Sequence, residues 1–488
     1  MKSAKSNRSL RSIKSSRSMK STKLFPEGRK GDVGGEFLDL ANVLPTACAK
    51  FQCPYNIVVK KESQRDEFYK ALKYGDAKVA RKKLSIMPPQ ATIVSQQSEV
   101  KTSATSKSEE GEPCDDANAL TIIAMYDTYN CLSEIILSKV KVPRIMMQVM
   151  GLLLPYFPNL ITLTVRRCRI ECYIIYEISK MLELSCITTL CLDESPVVEQ
   201  NYDMLLCQQS NLRNLSLCRC KINDDACKLI ALKLCHGAPA ENLQVLNLSS
   251  NHITDIGAKY LGDALRTNRR LRYLNLADNR IGDDGAAHVL NVLMEFPLTH
   301  DEVVNKRLRY IKYLKCKQAL YLRYLNECAT KSFDEISMYS RKSTPKRKKP
   351  TRKDKDSFRY SDEDIKGKAE MLAAEILGNF IDPFDSTSIR LRNNYYYCLG
   401  NMVLSYLNMS YNNLSYLSIK KLQNVLMYQS VAKKPNQSGL VKAVIDGNNL
   451  PMCKELVFIN ELFGRNLKNY TGKPELGKKR LNRLSKIL

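Results

Sequence analysis

A short apolar template recurs along the chain: a hydrophobic residue, then others three, five, eight and ten positions on. The sharpest copy is Leu271, Leu274, Leu276, Asn279, Ile281. Before it come Leu243, Leu246, Leu248, Asn251, Ile253 and Leu212, Leu215, Leu217, Cys220, Ile222. Weaker copies start at Leu160 (Leu163, Val165, Cys168, Ile170) and Ile187 (Leu190, Leu192, Ser195, Val197). After a long gap the template returns as Leu404, Leu407, Met409, Asn412, Leu414, and less sharply as Leu440, Ala443, Ile445, Asn448, Leu450.

Two apolar residues separated by one residue point to the same side of a strand, because strand side chains alternate. A buried Asn beyond them can satisfy the backbone groups of the turn that leaves the strand, and Cys serves there as a small filler. Helical spacing follows the strand, as in Ile256, Tyr260, Leu261, Ala264 and Leu265, with Asp255 as the expected N-cap. Copies beginning at 160, 187, 212, 243 and 271 leave room for a full helix in each repeat.

The pattern LxxLxLxxN/CxL is that of a leucine-rich repeat, and the segments NHITDIGAKYLGDAL and NRIGDDGAAHVLNVL resemble its ribonuclease-inhibitor type. That resemblance implies an α/β solenoid, curved, with parallel strands inside and helices outside. The strong repeat pair at 243–293, then PLTHDEVV, a basic insertion and the resumed repeats, together resemble the leucine-rich repeat-containing protein 71 family over roughly 118–455. The resemblance implies no catalytic activity and a setting in ciliated cells or sperm.

The expected organisation is a disordered Ser/basic tail (1–35), an unassigned stretch (36–90), a polar linker (91–117), and a capping unit with repeats (118–298). A charged helix (299–340), a basic linker (341–362), a helix and return segment (363–400), further repeats (401–460) and a basic tail (461–488) complete it. The segment 120–126 is expected to be the strand, and 131–140 the helix, of the capping unit. Residues 145–154 read as a buried helix, too short for a bilayer. Thr299 and Glu302 form a capping box for the charged helix. The chain from 271 to 404 is read as one repeat carrying a large insertion.

Most of the net charge of +26 sits in three short runs, within 1–30, 341–355 and 465–488, so the repeat body is near neutral. Lys346, Arg347, Lys348 and Lys349 are the densest part and the candidate electrostatic contact. The runs suit an acidic polymer, either the tubulin surface or nucleic acid. Seventeen cysteines without a disulfide framework, and no paired zinc spacing, point to a reducing compartment and to no metal. No membrane span, cofactor or catalytic constellation is expected. GKPELGKK at 472–479 puts Lys479 where a phosphate loop needs Ser or Thr.

The expected function is therefore a non-catalytic adaptor that grips a protein on its concave sheet, in the cytoplasm and the cilium or flagellum. Its contact residues would be the outward pairs Thr162/Thr164, Asn214/Ser216, Val245/Asn247, Tyr273/Asn275 and Tyr406/Asn408, with Thr189/Cys191 between them. The alternative is a nuclear or RNA-associated factor that holds nucleic acid through the basic runs. The oligomeric state is left open.

Overall fold

The computed structural model describes residues 39–63, 119–207, 210–240, 242–340, 362–434 and 437–471. The 1–38 tail, the linker over 91–117, the basic run at 341–361 and the residues from 472 on lie outside that description.

The apolar template builds one ten-stranded sheet, ordered β1-β2-β3-β4-β5-β6-β7-β8-β12-β13. The strands are β1 (Asn56–Ser63), β2 (Ala119–Tyr126), β3 (Leu132–Ser138), β4 (Thr162–Arg166), β5 (Thr189–Cys191), β6 (Asn214–Ser216), β7 (Val245–Asn247), β8 (Tyr273–Asn275), β12 (Tyr406–Asn408) and β13 (Lys442–Val444). All neighbours are parallel except the β2–β3 hairpin. Helix α1 (Leu40–Lys50) precedes β1, and helices follow most later strands: α2 (Arg144–Leu153), α3 (Cys172–Leu184), α4 (Asp224–Leu234), α5 (Asp255–Thr267) and α6 (Asp283–Asn291). Their apolar faces and the inward leucines of the strands form one core, with Leu246, Leu248, Leu274, Leu276 and Leu407 fully buried.

This is the leucine-rich repeat solenoid that the template implied. The wall crosses the insertion without a break: Leu407 pairs with Leu274, and Asn408 with Asn275. Three local expectations need correction. Residues 131–140 form strand β3, not a helix, because Leu132, Ile135, Leu137, Val140 and Val142 are themselves a copy of the template. The repeat from 187 carries a single 3-10 turn, Tyr202–Leu205, in place of a helix. Tyr202 fills the space, fully buried, with its hydroxyl accepting from Val197 N at 2.9 Å. Asp255 is the first residue of α5 and not its cap; Thr254 caps that helix, accepting from Ile256 N.

The turn after each strand is built the same way. Residue eight of the template is left-handed in eight copies: Lys139, Arg167, Glu194, Arg219, Ser250, Asp278, Tyr411 and Gly447. The Asn at position nine then bonds backbone in its own rung and the one before. Asn251 accepts from Cys220 N and Ile222 N, both at 3.0 Å, and donates to the carbonyls of Leu217, Leu248 and Ser249. Asn279 does likewise, and Asn412 carries the ladder over the insertion by accepting from Ile281 N at 3.1 Å. Where Ser195 replaces Asn, its hydroxyl accepts from Cys168 N and donates to Val165 O.

A second ladder runs along the helix starts. Asp224 accepts from Thr254 N and Gly257 N, each at 2.9 Å, so it caps the following helix and not its own. Asp255 does the same for Gly282 N and Gly285 N. Asp283 reaches over the insertion to α9 (Tyr416–Ala432), taking Ser415 N at 2.9 Å, Ser418 N at 3.2 Å and both serine hydroxyls. A side chain at Gly257 would meet the Asp224 carboxylate at 2.5 Å, which explains the glycine in that register.

The insertion leaves the wall after α6. Strand β9 (Phe296–Pro297) joins β10 (Ile389–Arg392) and β11 (Tyr395–Cys398) in a small antiparallel sheet, which sequence periodicity did not disclose. Helix α7 (His300–Ser340) opens with the expected box: Thr299 N donates to Glu302 and Glu302 N to Thr299 Oγ1. Helix α8 (Asp362–Leu377) packs back along it. Two ion pairs fix the base, Arg266 with Glu302 at 2.7 Å and Arg309 with Asp382 at 2.6 Å. At the far end α10 (Lys454–Thr471) follows β13 and continues beyond 460, into the stretch read as tail.

Gly400 closes the insertion. Its φ is +89°, and a Cβ there would sit 2.5 Å from the carbonyl oxygen of Met294. Backbone cannot give way as a side chain can, so Gly400→Ala is expected to destabilise the protein by about 2–3 kcal/mol. Chemical denaturation of the variant beside wild type measures this; an unchanged midpoint would show that the junction relaxes freely.

Candidate protein-binding surface

Parallel pairing sets the outward residues of the strands in rows. The first row runs Glu134, Thr162, Thr189, Asn214, Val245, Tyr273, Tyr406, Lys442; the second runs Ile136, Thr164, Cys191, Ser216, Asn247, Asn275, Asn408, Val444. The strand register sets the candidate residues from Thr162 to Asn408 side by side on one continuous face.

Accessibility divides them. Thr162, Thr164, Asn214, Ser216, Asn247, Tyr406 and Asn408 are partly exposed. Val245, Tyr273 and Asn275 are buried, with Tyr273 only 2% accessible. Tyr273 was expected to project as a contact residue. Instead its ring stacks on that of Tyr406, 4.4 Å between centroids and 6° from parallel. Neighbouring rungs are close enough for flat rings to cover one another, and burial pushes both phenols above their ordinary pKa. These three residues belong to the wall itself, and the partly exposed ones form the accessible part of the face.

Much of the polar floor is bonded internally. Ser216 Oγ donates to Asp193 Oδ1 at 2.6 Å, Asn247 Nδ2 to Ser216 Oγ at 3.0 Å, and Ser249 Oγ to Asn247 Oδ1 at 2.8 Å. Asn214 Nδ2 donates to Thr189 Oγ1 at 2.9 Å, and Thr164 Oγ1 to Glu134 Oε1 at 2.8 Å. Such a chain holds its side chains in place before any partner arrives, which lowers the ordering cost of binding. The thiols of Cys191 and Cys220 are pushed up to about 12, mainly by burial, so both stay protonated at neutral pH and are poor nucleophiles.

A third outward row escaped the sequence reading: Ser138, Arg166, Asp193, Cys218, Ser249, Ala277, Ser410, Asp446. Its first pair, Ser138 with Arg166, lies in the sheet, and the later members continue the alternation two residues past the strands. Beside it lies a charged cluster, in which Glu194 accepts from Arg167 at 2.6 Å and from Arg166 of the row at 3.2 Å. Extending the period-two alternation one step further would have found it. Lys346, Arg347, Lys348 and Lys349 lie outside the described residues. Among the described residues no helix is long and apolar enough to cross a membrane.

A family model described as Leucine Rich repeats (2 copies) matches residues 241–286, the rungs of β7 and β8 with α5 and the first turn of α6. No curated protein matches the chain.

Proposed function

The chain is a leucine-rich repeat protein, and from that premise we propose a non-catalytic adaptor that binds a protein partner on the outward face of its sheet. The observation that carries this is the continuous outward face from Thr162 to Asn408, mostly polar and partly exposed, which stays in register across an insertion of more than a hundred residues. A solenoid that keeps its rungs aligned past so long an excursion retains one extended surface, and extended repeat surfaces serve recognition. The finer reading is an axonemal setting, supported by the order of repeats and insertion that resembles the leucine-rich repeat-containing protein 71 family. In that reading the basic runs, including Lys346 to Lys349, rest on an acidic polymer such as the tubulin surface.

Two experiments test these parts separately. Thr164→Arg with Asn408→Arg adds bulk and charge at both ends of the floor without touching the buried leucines. Proximity labelling in a ciliated cell should lose its dominant neighbour in this variant; an unchanged neighbour list counts against the surface. Salt-dependent co-sedimentation with microtubules and with RNA separates the adaptor from a nucleic-acid-binding factor.

A further inference from the structure

Helix α7 has 41 residues and so extends about 60 Å, and over its described side chains, up to Glu327, one long face is covered. The covered face meets α8 and the segment after it. Tyr313 donates its hydroxyl to Gly378 O at 2.9 Å and lies 5.4 Å from the Phe380 ring, Arg309 pairs with Asp382, and Ala369 and Ala373 of α8 are fully buried. Half a turn away stand Leu308, Ile311, Lys315, Gln318 and Leu322, all exposed. Leu308 is 56%, Ile311 48% and Leu322 49% accessible, a high price in water for three aliphatic side chains on one line.

Their spacing is 3, 4, 3, 4, the seam of a coiled coil rather than the broad apolar face of a core helix or a membrane-lying one. Charge narrows the occupant further. From Val303 to Glu327 the helix carries seven Lys or Arg and one acid, Glu327, which pairs with Arg323 at 2.9 Å. Arg307, Lys312 and Lys315 border or interrupt the seam. A second copy of this helix would set cation against cation. A helix with leucines on its own seam and glutamates beside them complements both features.

We propose that the exposed seam Leu308, Ile311, Lys315, Gln318, Leu322 on the insertion helix docks an acidic amphipathic helix of a partner protein. This surface is separate from the sheet floor, so the chain offers two partners independent grips. Lys315 and Gln318 at the middle of the seam weaken a purely apolar zipper and select a partner with an acid opposite Lys315.

The test uses the full-length protein and a synthetic four-heptad peptide with leucine at the seam and glutamate at the flanking positions. A control peptide carries serine in place of each seam leucine at the same charge. Fluorescence anisotropy should give at least tenfold tighter binding of the leucine peptide. Leu308→Ser with Leu322→Ser, which leaves the charge of the protein unchanged, should remove that difference, and Lys315→Glu should weaken binding several-fold. Equal binding of the two peptides, or of wild type and the serine variant, overturns the proposal. So does binding to phosphatidylserine vesicles that depends on Leu308 and Leu322 while the leucine peptide does not bind.

Discussion

Asn251→Ala should lower the stability of the protein by about 3–5 kcal/mol, among the largest losses available from one polar side chain in the wall. The amide answers five backbone groups: two N–H groups at Cys220 and Ile222, and three carbonyls at Leu217, Leu248 and Ser249. Asn251 is only 4% accessible, so little water replaces what the methyl group cannot supply. Each buried group left without a partner costs on the order of 1 kcal/mol or more, and the truncated side chain leaves a void as well. Asn413, exposed one residue past the same template position in a later rung, is the natural comparison; Asn413→Ala should cost well under about 1 kcal/mol. Urea denaturation followed by circular dichroism checks both. Similar midpoints for the two variants would mean that the ladder contributes nothing beyond solvation.

Asp283→Ala should cost about 2–4 kcal/mol and should change how stability depends on pH. Burial alone would raise the carboxyl pKa, but hydrogen bonds from Ser415 and Ser418 outweigh it and hold the group below its ordinary value. The folded state therefore binds a proton less readily than the unfolded chain. The contribution of Asp283 is complete above the ordinary aspartate pKa of about 4, and it fades as pH falls through the lower folded value. Asp283→Asn should accordingly flatten part of the acid limb of a stability profile below about pH 4, while Asp283→Ala lowers stability at neutral pH. Denaturation midpoints collected across that range decide it. An acid limb of unchanged slope in the Asn variant would remove Asp283 as its source.

The wall was legible in the sequence because burial and strand alternation act on every rung at once. Leu246, Leu274 and Leu407 announce themselves through spacing alone, and the deep position of Asn251 follows from its place after the strand. What escaped notice depends on contacts between rungs. Nothing local distinguishes Asp255 as a cap for the next helix from Asp255 as a cap for its own; only stacking brings its carboxylate to Gly282 and Gly285. The burial of Tyr273 likewise needs the ring of Tyr406, which lies far along the chain. The antiparallel sheet of β9, β10 and β11 has strands of two to four residues, too short for periodicity to register. The outward strand positions follow from alternation, but which of them are accessible depends on how closely the rungs approach.

The direct pairing of Tyr273 with Tyr406 has a consequence for how the chain is made. At cellular elongation speeds of about 5–20 residues per second, the strand that holds Tyr273 emerges on the order of ten seconds before its mate. During that interval its bare edge is a template for any extended segment nearby. A nascent chain of this design has reason to need a chaperone at that one moment, and the intervening helical excursion is the first thing available to shelter it.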